Sequence, residues 1–198
     1  LVYGIRDGDL IEALAALSDL HIIAVAGDRP RADSLRRRFD RVGLAGKRIE
    51  VFDGDVRSFS VPPFLSSLTV LEDAGPSAAA RDDTLERIFQ SLRPYGGTLL
   101  MPRSADVEAA IRKIAGGGGL PGAAVRESGR FLLLVREGAL PGAGVWTHNL
   151  AGAANTSKSD DRRVTLPLGL LWFGGNSNLD VLPRHGHGPS EQVIGGRL

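Results

Sequence analysis

The sequence contains no cysteine among its 198 residues. This absence excludes disulfide bonds, thiolate metal sites and a cysteine nucleophile, and it leaves the cellular compartment open. Long hydrophobic runs are also missing, since no apolar stretch approaches the roughly 18 residues that a membrane-spanning helix needs. We therefore expect no membrane span in this segment of the protein.

An excess of charge of one sign is lacking as well. The 24 Lys and Arg residues are balanced by 23 Asp and Glu residues, which leaves a formal net charge of +1. Such a balance provides no general attraction to nucleic acid or to an anionic membrane surface. We therefore expect no nucleic-acid partner.

Residues 1–138 alternate strand-like and helix-like patterns, whereas residues 139–198 do not. Regular alternation of this kind predicts an α/β domain with a parallel sheet covered on both faces by helices. The chain starts inside an apparent strand and without a methionine, so we expect it to be a piece of a longer polypeptide. A signal peptide ahead of it is compatible with that expectation.

The predicted elements of the first domain follow from hydrophobic periodicity and capping signals. Short apolar segments suit buried strands, and apolar residues at helical spacing mark the inward faces of helices. Ser104 is predicted to cap one helix and Gly43 to end another. The strand segments after the first are 21–26, 47–52, one within 64–73, and 96–102. The inward helix positions are Leu10, Ile11, Leu14, Leu17, Leu35, Phe39, Val42, Leu85, Ile88, Phe89 and Leu92.

Two further apolar segments, 123–128 and 130–136, are joined by a short turn at Ser128-Gly129. A turn of this length predicts an antiparallel hairpin. Together these elements predict a seven-stranded, mostly parallel sheet whose last strand is antiparallel to its neighbours.

Three quoted segments stand in a specific order along the chain. "YGIRDGDL" is a glycine turn after the first strand, "EVFDGDVRSF" includes the third strand, and "RIFQSLRPYGGTLLM" is a helix, a turn and the fifth strand. In this order they resemble the class I S-adenosylmethionine-dependent methyltransferase family over about residues 1–138. The resemblance implies a Rossmann-like methyltransferase fold. It places Gly4 and Gly8 at the first and third glycines of the cofactor turn, and Asp55 at the carboxylate that contacts the adenine amino group.

The departures from the family pattern lie at the expected cofactor site. Val2 stands where the family often has an acid, Arg6 replaces the middle glycine, and Ala26 replaces the carboxylate that usually binds the ribose hydroxyls. Asp28, two residues later, is a partial replacement for that carboxylate. The resemblance thus implies a site formed by Gly4, Arg6, Gly8, Asp28 and Asp55 that binds S-adenosylmethionine weakly.

Each of these residues also has a purely structural interpretation. Gly4 and Gly8 either permit a tight strand-to-helix connection or allow a ligand to approach the backbone. Arg6 is either a solvated loop residue or an anion ligand at the adjacent helix terminus. Asp55 is either a turn residue or an adenine contact. Asp73, at the tip of the fourth strand, is either a turn acid or a weak candidate for a catalytic residue.

The tail has a second resemblance, carried by "GVWTHNLAGAANTSKSDDRRVTLPLGLLWFGG". Trp146, Asn155, Thr156 and Trp172 resemble the entry of a β-propeller of the pyrroloquinoline-quinone-repeat type. This likeness implies that residues 139–198 are a linker and the truncated first part of a propeller, with the rest of the polypeptide as partner. The quinone would be a cofactor only if the missing propeller binds it, and an exported or periplasmic protein would fit this likeness.

The histidines give no metal or hydrolase site. His185 and His187 lie two residues apart among glycine and proline, which indicates a loop, and no third ligand accompanies them. His148 is accompanied by no G-x-S-x-G nucleophile motif. We therefore expect no bound metal.

Three hypotheses of function remain open. The first is a methyltransferase-like domain with a degenerate cofactor site, which serves as an interaction or structural module beside a propeller. The second is an active methyltransferase. The third is part of a quinone-dependent dehydrogenase, whose chemistry would lie in the missing propeller. Val2, Arg6 and Ala26 favour the first hypothesis over the second.

Overall fold

The computed structural model describes residues 1–72, 82–169 and 192–197. The chain divides into two units, Leu1–Gly138 and Ala139–Leu198. Asp73, Trp172, His185 and His187 lie outside the described residues, as does most of the strand predicted at 168–173.

The first unit alternates strands and helices along its whole length. The strands are β1 (Val2–Tyr3), β2 (Ile22–Ala26), β3 (Ile49–Asp53), β4 (Leu68–Leu71), β5 (Gly97–Pro102), β6 (Ala123–Ser128) and β7 (Phe131–Arg136). The helices are α1 (Asp9–Leu17), α2 (Arg29–Arg41), α3 (Asp82–Ser91) and α4 (Ala105–Gly116).

The strands form one seven-stranded sheet in the order β3-β2-β1-β4-β5-β7-β6. Strands β1 to β5 run parallel, and β7 is antiparallel to both of its neighbours, β5 and β6. The predicted α/β fold and its antiparallel last strand are therefore confirmed. Because β1 to β4 are parallel, the loops that follow them meet at one edge of the sheet, where α/β proteins bind ligands.

Side chains alternate between the two faces of the sheet, and each face has its own core. Val2 and Ala24 pack with residues of α1 and α2, whereas Tyr3 and Val25 pack with residues of α3 and α4. Four predicted inward residues are at most 3% exposed: Leu85, Ile88 and Phe89 of α3, and Leu92 directly after it. The predicted arrangement, with helices on both faces, is confirmed.

Two helix signals read from the sequence are present in the structure. The Ser104 hydroxyl accepts a hydrogen bond from the Val107 amide at 3.3 Å and caps α4. Gly43, directly after the last turn of α2, has a φ of 69°. This left-handed conformation is one that glycine adopts readily, and it ends the helix where expected.

Two residues placed on inward helix faces are in fact exposed, and those predictions are wrong. Leu17 is 87% exposed because the buried line of α1 runs through Ile11 and Ala15, and Leu17 lies on another side of the helix. Val42 is 58% exposed because α2 ends at Arg41, so the helical spacing no longer governs the next residue.

The second unit has turns and isolated bridges in its described residues. Trp146 and Val193 exchange two backbone hydrogen bonds, of 3.2 and 2.8 Å, in an antiparallel bridge. The Asp161 carboxylate accepts hydrogen bonds from the backbone amides of Gly144, Arg163 and Val164. These bonds hold the pKa of Asp161 below its usual value. A single carboxylate thus fixes a turn of this unit.

Candidate functional site

The loop between β1 and α1 forms one side of the ligand-binding edge. Gly4 has a φ of 67° and Gly8 a φ of 96°, so both occupy the left-handed region that favours glycine. Between them, Ile5 is fully buried. The Arg31 guanidinium, from the first turn of α2, donates a 2.6 Å hydrogen bond to the Ile5 carbonyl. The turn predicted from the glycine spacing is present, and α2 holds it in place.

Arg6 projects from this turn toward the tip of β4. Its backbone amide donates to Oε2 of Glu72 at 3.4 Å, and its Nε lies 3.5 Å from Oε1. The Arg6 side chain is 65% exposed, whereas the Glu72 side chain is only 9% exposed. Arg6 therefore joins two strand ends, and one partner in the pair is nearly withdrawn from water.

Glu72 is a residue that sequence reasoning missed. It directly follows the apolar run of β4, and a carboxylate in that position was the available signal. The candidate named from the sequence was its neighbour Asp73, which lies outside the described residues. The contact with Arg6, 66 residues away, places the Glu72 carboxylate at this edge.

β2 ends at Ala26, so its last residue places no acidic side chain at the ligand-binding edge. Ala26 is fully buried, and its carbonyl accepts a 2.8 Å hydrogen bond from the Gly54 amide in the loop after β3. Asp28 caps α2, because its Oδ1 accepts a 2.8 Å hydrogen bond from the Arg31 amide. Asp28, the suggested partial replacement for the ribose-binding carboxylate, thus caps a helix.

Asp55 lies in the loop after β3 and contacts Arg57. Its Oδ1 accepts hydrogen bonds from the Arg57 amide at 2.8 Å and from the Arg57 Nε at 2.9 Å. Hydrogen bonding from Arg57 holds the pKa of the Asp55 carboxyl below its usual value. The backbone carbonyl of Asp55 also accepts from Phe59 at 2.8 Å. Asp55 thus makes local hydrogen bonds in the loop that follows β3.

A cavity of about 640 Å³ opens beside the Arg6–Glu72 pair. Its apolar lining comes from α1 and from the sheet face next to it, and includes Leu10, Val70 and Leu100. Its size is that of a small-molecule site. Of the five candidate cofactor residues, Arg6 lines this cavity and the other four do not.

The described residues contain no group of His, Asp and Glu side chains that could hold a metal ion. Within the same part of the chain, no helix is both long and apolar enough to cross a membrane.

No protein-family model matches the sequence, and no curated protein matches it. The structure, in contrast, is similar to solved methyltransferases. A protein from Methanococcus maripaludis, described as an S-adenosyl-L-methionine-dependent methyltransferase, has 15% identity and a TM-score of 0.52, with 69% of this chain and 75% of that chain covered. The unit Leu1–Gly138 has a Rossmann-like methyltransferase fold.

Two further structures have the same methyltransferase-like fold. One is a chain from the complex of the Haloferax volcanii Trm112 methyltransferase activator with a methyltransferase, at 14% identity and a TM-score of 0.53, covering 69% of this chain and 81% of that chain. The other is a SAM-dependent methyltransferase from Aquifex aeolicus, at 14% identity and a TM-score of 0.50, covering 68% and 78%. Some similar structures are longer proteins, and this chain covers 49% of one and 45% of another.

Proposed function

We propose that Leu1–Gly138 is a methyltransferase-like domain with a degenerate S-adenosylmethionine site, which serves as a structural or interaction module of its polypeptide. The observation that carries the proposal is the set of contacts that polar side chains at the ligand-binding edge make within the protein. Arg6 contacts Glu72, Asp28 caps α2, and Asp55 contacts Arg57. The two candidate carboxylates, Asp28 and Asp55, thus already accept hydrogen bonds from the protein itself.

Ala26 supports the same proposal. A carboxylate at the end of β2 would accept two hydrogen bonds from a ribose, and a methyl group that is fully buried accepts none. Losing such a charge-assisted pair costs roughly 1.5 to 3 kcal/mol. If the Arg6 side chain in the glycine turn costs as much again, affinity falls by about two to four powers of ten. The residues present therefore fit the cofactor poorly.

Isothermal titration of the chain with S-adenosylmethionine, and with its demethylated product, tests the proposal. We expect a dissociation constant weaker than ~100 μM for both. Binding in the low micromolar range would overturn the proposal. It would favour the second candidate function, an active methyltransferase, which the retained φ values of Gly4 and Gly8 support.

An Arg6→Gly variant extends the test, because it removes the guanidinium from the turn. We expect about tenfold tighter binding of S-adenosylmethionine, with Lys158→Gly as a control that alters net charge equally at an exposed position of the second unit. An unchanged affinity would contradict the role assigned to Arg6. Ala26→Asp is then added to Arg6→Gly, and the double variant requires a measurement of folding because Ala26 is fully buried.

The comparisons give no support for a quinone-binding propeller. The similar structures named above cover at most 69% of the chain, and they are methyltransferases. The proposal is therefore restricted to the α/β unit. A quinone-dependent dehydrogenase is not proposed.

A further inference from the structure

We propose that the cavity beside Glu72 binds a small amphipathic amine, with its ammonium group on the Glu72 carboxylate and its apolar body along the sheet face. This site shares Arg6 with the degenerate cofactor site, but it needs none of Asp28, Asp55 or the β2 end. Three observations carry it: the burial of Glu72, its weak protein contacts, and the composition of the cavity wall.

Glu72 is a nearly buried carboxylate with few hydrogen bonds. Its side chain is 9% exposed, and among the described residues its oxygens accept only from Arg6, at 3.4 and 3.5 Å. Both distances lie beyond the 2.7–2.9 Å typical of charge-assisted bonds. A carboxylate that is withdrawn from water and has only long hydrogen bonds is stabilised by a close donor.

Arg6 is not such a close donor. Its side chain is 65% exposed and remains solvated whether or not it contacts Glu72. A ligand ammonium can therefore donate to the carboxylate while the guanidinium turns toward water at little cost. A cation is thus favoured over an anion at this point, because the buried acid gains more from a new partner than the exposed base does.

The charged residues around the cavity also favour a cation. Three acids line it, Asp7, Asp9 and Glu72, against two bases, Arg6 and Arg130. The Arg130 guanidinium lies 5.2 Å from the centre of the Phe131 ring, and Asp9 is paired with Arg38 at 2.8 Å. The balance still leaves Glu72 as the acid that is both buried and adjacent to the apolar wall.

The rest of the wall fits an apolar body. Leu10 and Leu14 line it from α1, and Val70 and Leu100 line it from β4 and β5. At about 640 Å³ the cavity has room for a molecule of several carbon atoms. An amine without an apolar part would leave this surface in contact with water and would gain nothing from it.

Three matched probes test the proposal by NMR titration of backbone amides in the full chain: hexylammonium, hexanol and hexanoate. We expect hexylammonium to bind roughly tenfold more tightly than either of the others. The largest shifts should fall at Arg6, Glu72 and Leu100. Equal binding of the three probes, or shifts centred elsewhere, would overturn the proposal.

Two isosteric variants identify the acid. Glu72→Gln should remove the preference for hexylammonium and leave hexanol binding unchanged, whereas Glu50→Gln, at an exposed position of β3, should change neither. A preference that survives in Glu72→Gln would exclude Glu72 as the ammonium ligand. S-adenosylmethionine titrated in parallel keeps this test separate from that of the proposed function, because either ligand can bind or fail to bind independently of the other.

Discussion

A β-carbon on Gly8 would stand 2.8 Å from the Cδ2 atom of Leu35, so α2 packs directly against the end of the glycine turn. Gly8 also has a φ of 96°, a conformation that residues with a side chain rarely adopt. Glycine is therefore favoured at this position for two reasons, the backbone conformation and the closeness of the Leu35 side chain. This explains the glycine at this position without any ligand.

The Gly8→Ala variant should lower the free energy of unfolding by about 2 to 3 kcal/mol, because strain and overpacking add together. Gly46→Ala is the matched control, since Gly46 has a φ of 69° but open space where its Cβ would lie. We expect this control to cost about 1 kcal/mol. Urea denaturation measures both, and equal costs would show that the Leu35 contact does not matter.

The Asp28→Ala variant should lower the free energy of unfolding by about 1 kcal/mol, because α2 loses its N-terminal cap. Asp28→Ser should keep most of the stability, since a serine hydroxyl can accept the same bond from Arg31. Asp19→Ala, at an exposed position before β2, is the control. If Asp28→Ala and Asp19→Ala have equal midpoints in urea, the capping role is wrong.

Arg48 binds the C-terminal end of α1 and the chain just after it. Its guanidinium donates to the carbonyls of Ala15 and Leu20, each at 3.1 Å, and to that of Ser18. The Arg48→Gln variant should lower the free energy of unfolding by about 2 to 3 kcal/mol, because hydrogen bonds from a charged donor are lost. The neighbouring Lys47→Gln should change it by less than about 0.5 kcal/mol. Thermal and urea unfolding measure the stability of both variants, and equal stabilities would contradict the role of Arg48.

Burial raises the pKa of the Tyr3 phenol to about 12, although the nearby Arg87 lowers it. The fold favours the neutral phenol, so stability from this group is complete below pH ~10 and is lost as pH rises toward 12. Absorbance at 295 nm should show one tyrosinate forming near pH 12, and Tyr3→Phe should remove it. A Tyr3 titration near pH 10 in the folded chain would contradict the burial of its hydroxyl.

The elements of the first unit were largely predictable because their signals are local. The Ser104 cap depends on a residue three positions away, and the Ser128-Gly129 turn depends on the two segments that it joins. The errors at Leu17 and Val42 have the opposite cause. Which side of a helix is buried, and where its last turn ends, depends on the sheet beneath it and not on spacing alone.

The candidate site was less predictable than the fold. The positions of Gly4, Gly8 and Ala26 in the candidate site were implied by the family resemblance. The partners of the polar residues did not, because the Asp28 carboxylate could as well have faced a ligand as the Arg31 amide. Several arginines of α2 reach backbone carbonyls of other segments, as Arg36 does for Val51 at 2.9 Å, and no sequence pattern specifies such contacts.

The sequence by itself determined an alternating α/β domain with an antiparallel closing hairpin, since apolar spacing, caps and glycine turns act over a few residues. Only the tertiary structure decided that Glu72 is withdrawn from water and meets Arg6, and that a cavity opens beside them. The physical reason is that burial and pairing across 66 residues depend on how the sheet brings strand ends together. Neither property belongs to either residue alone.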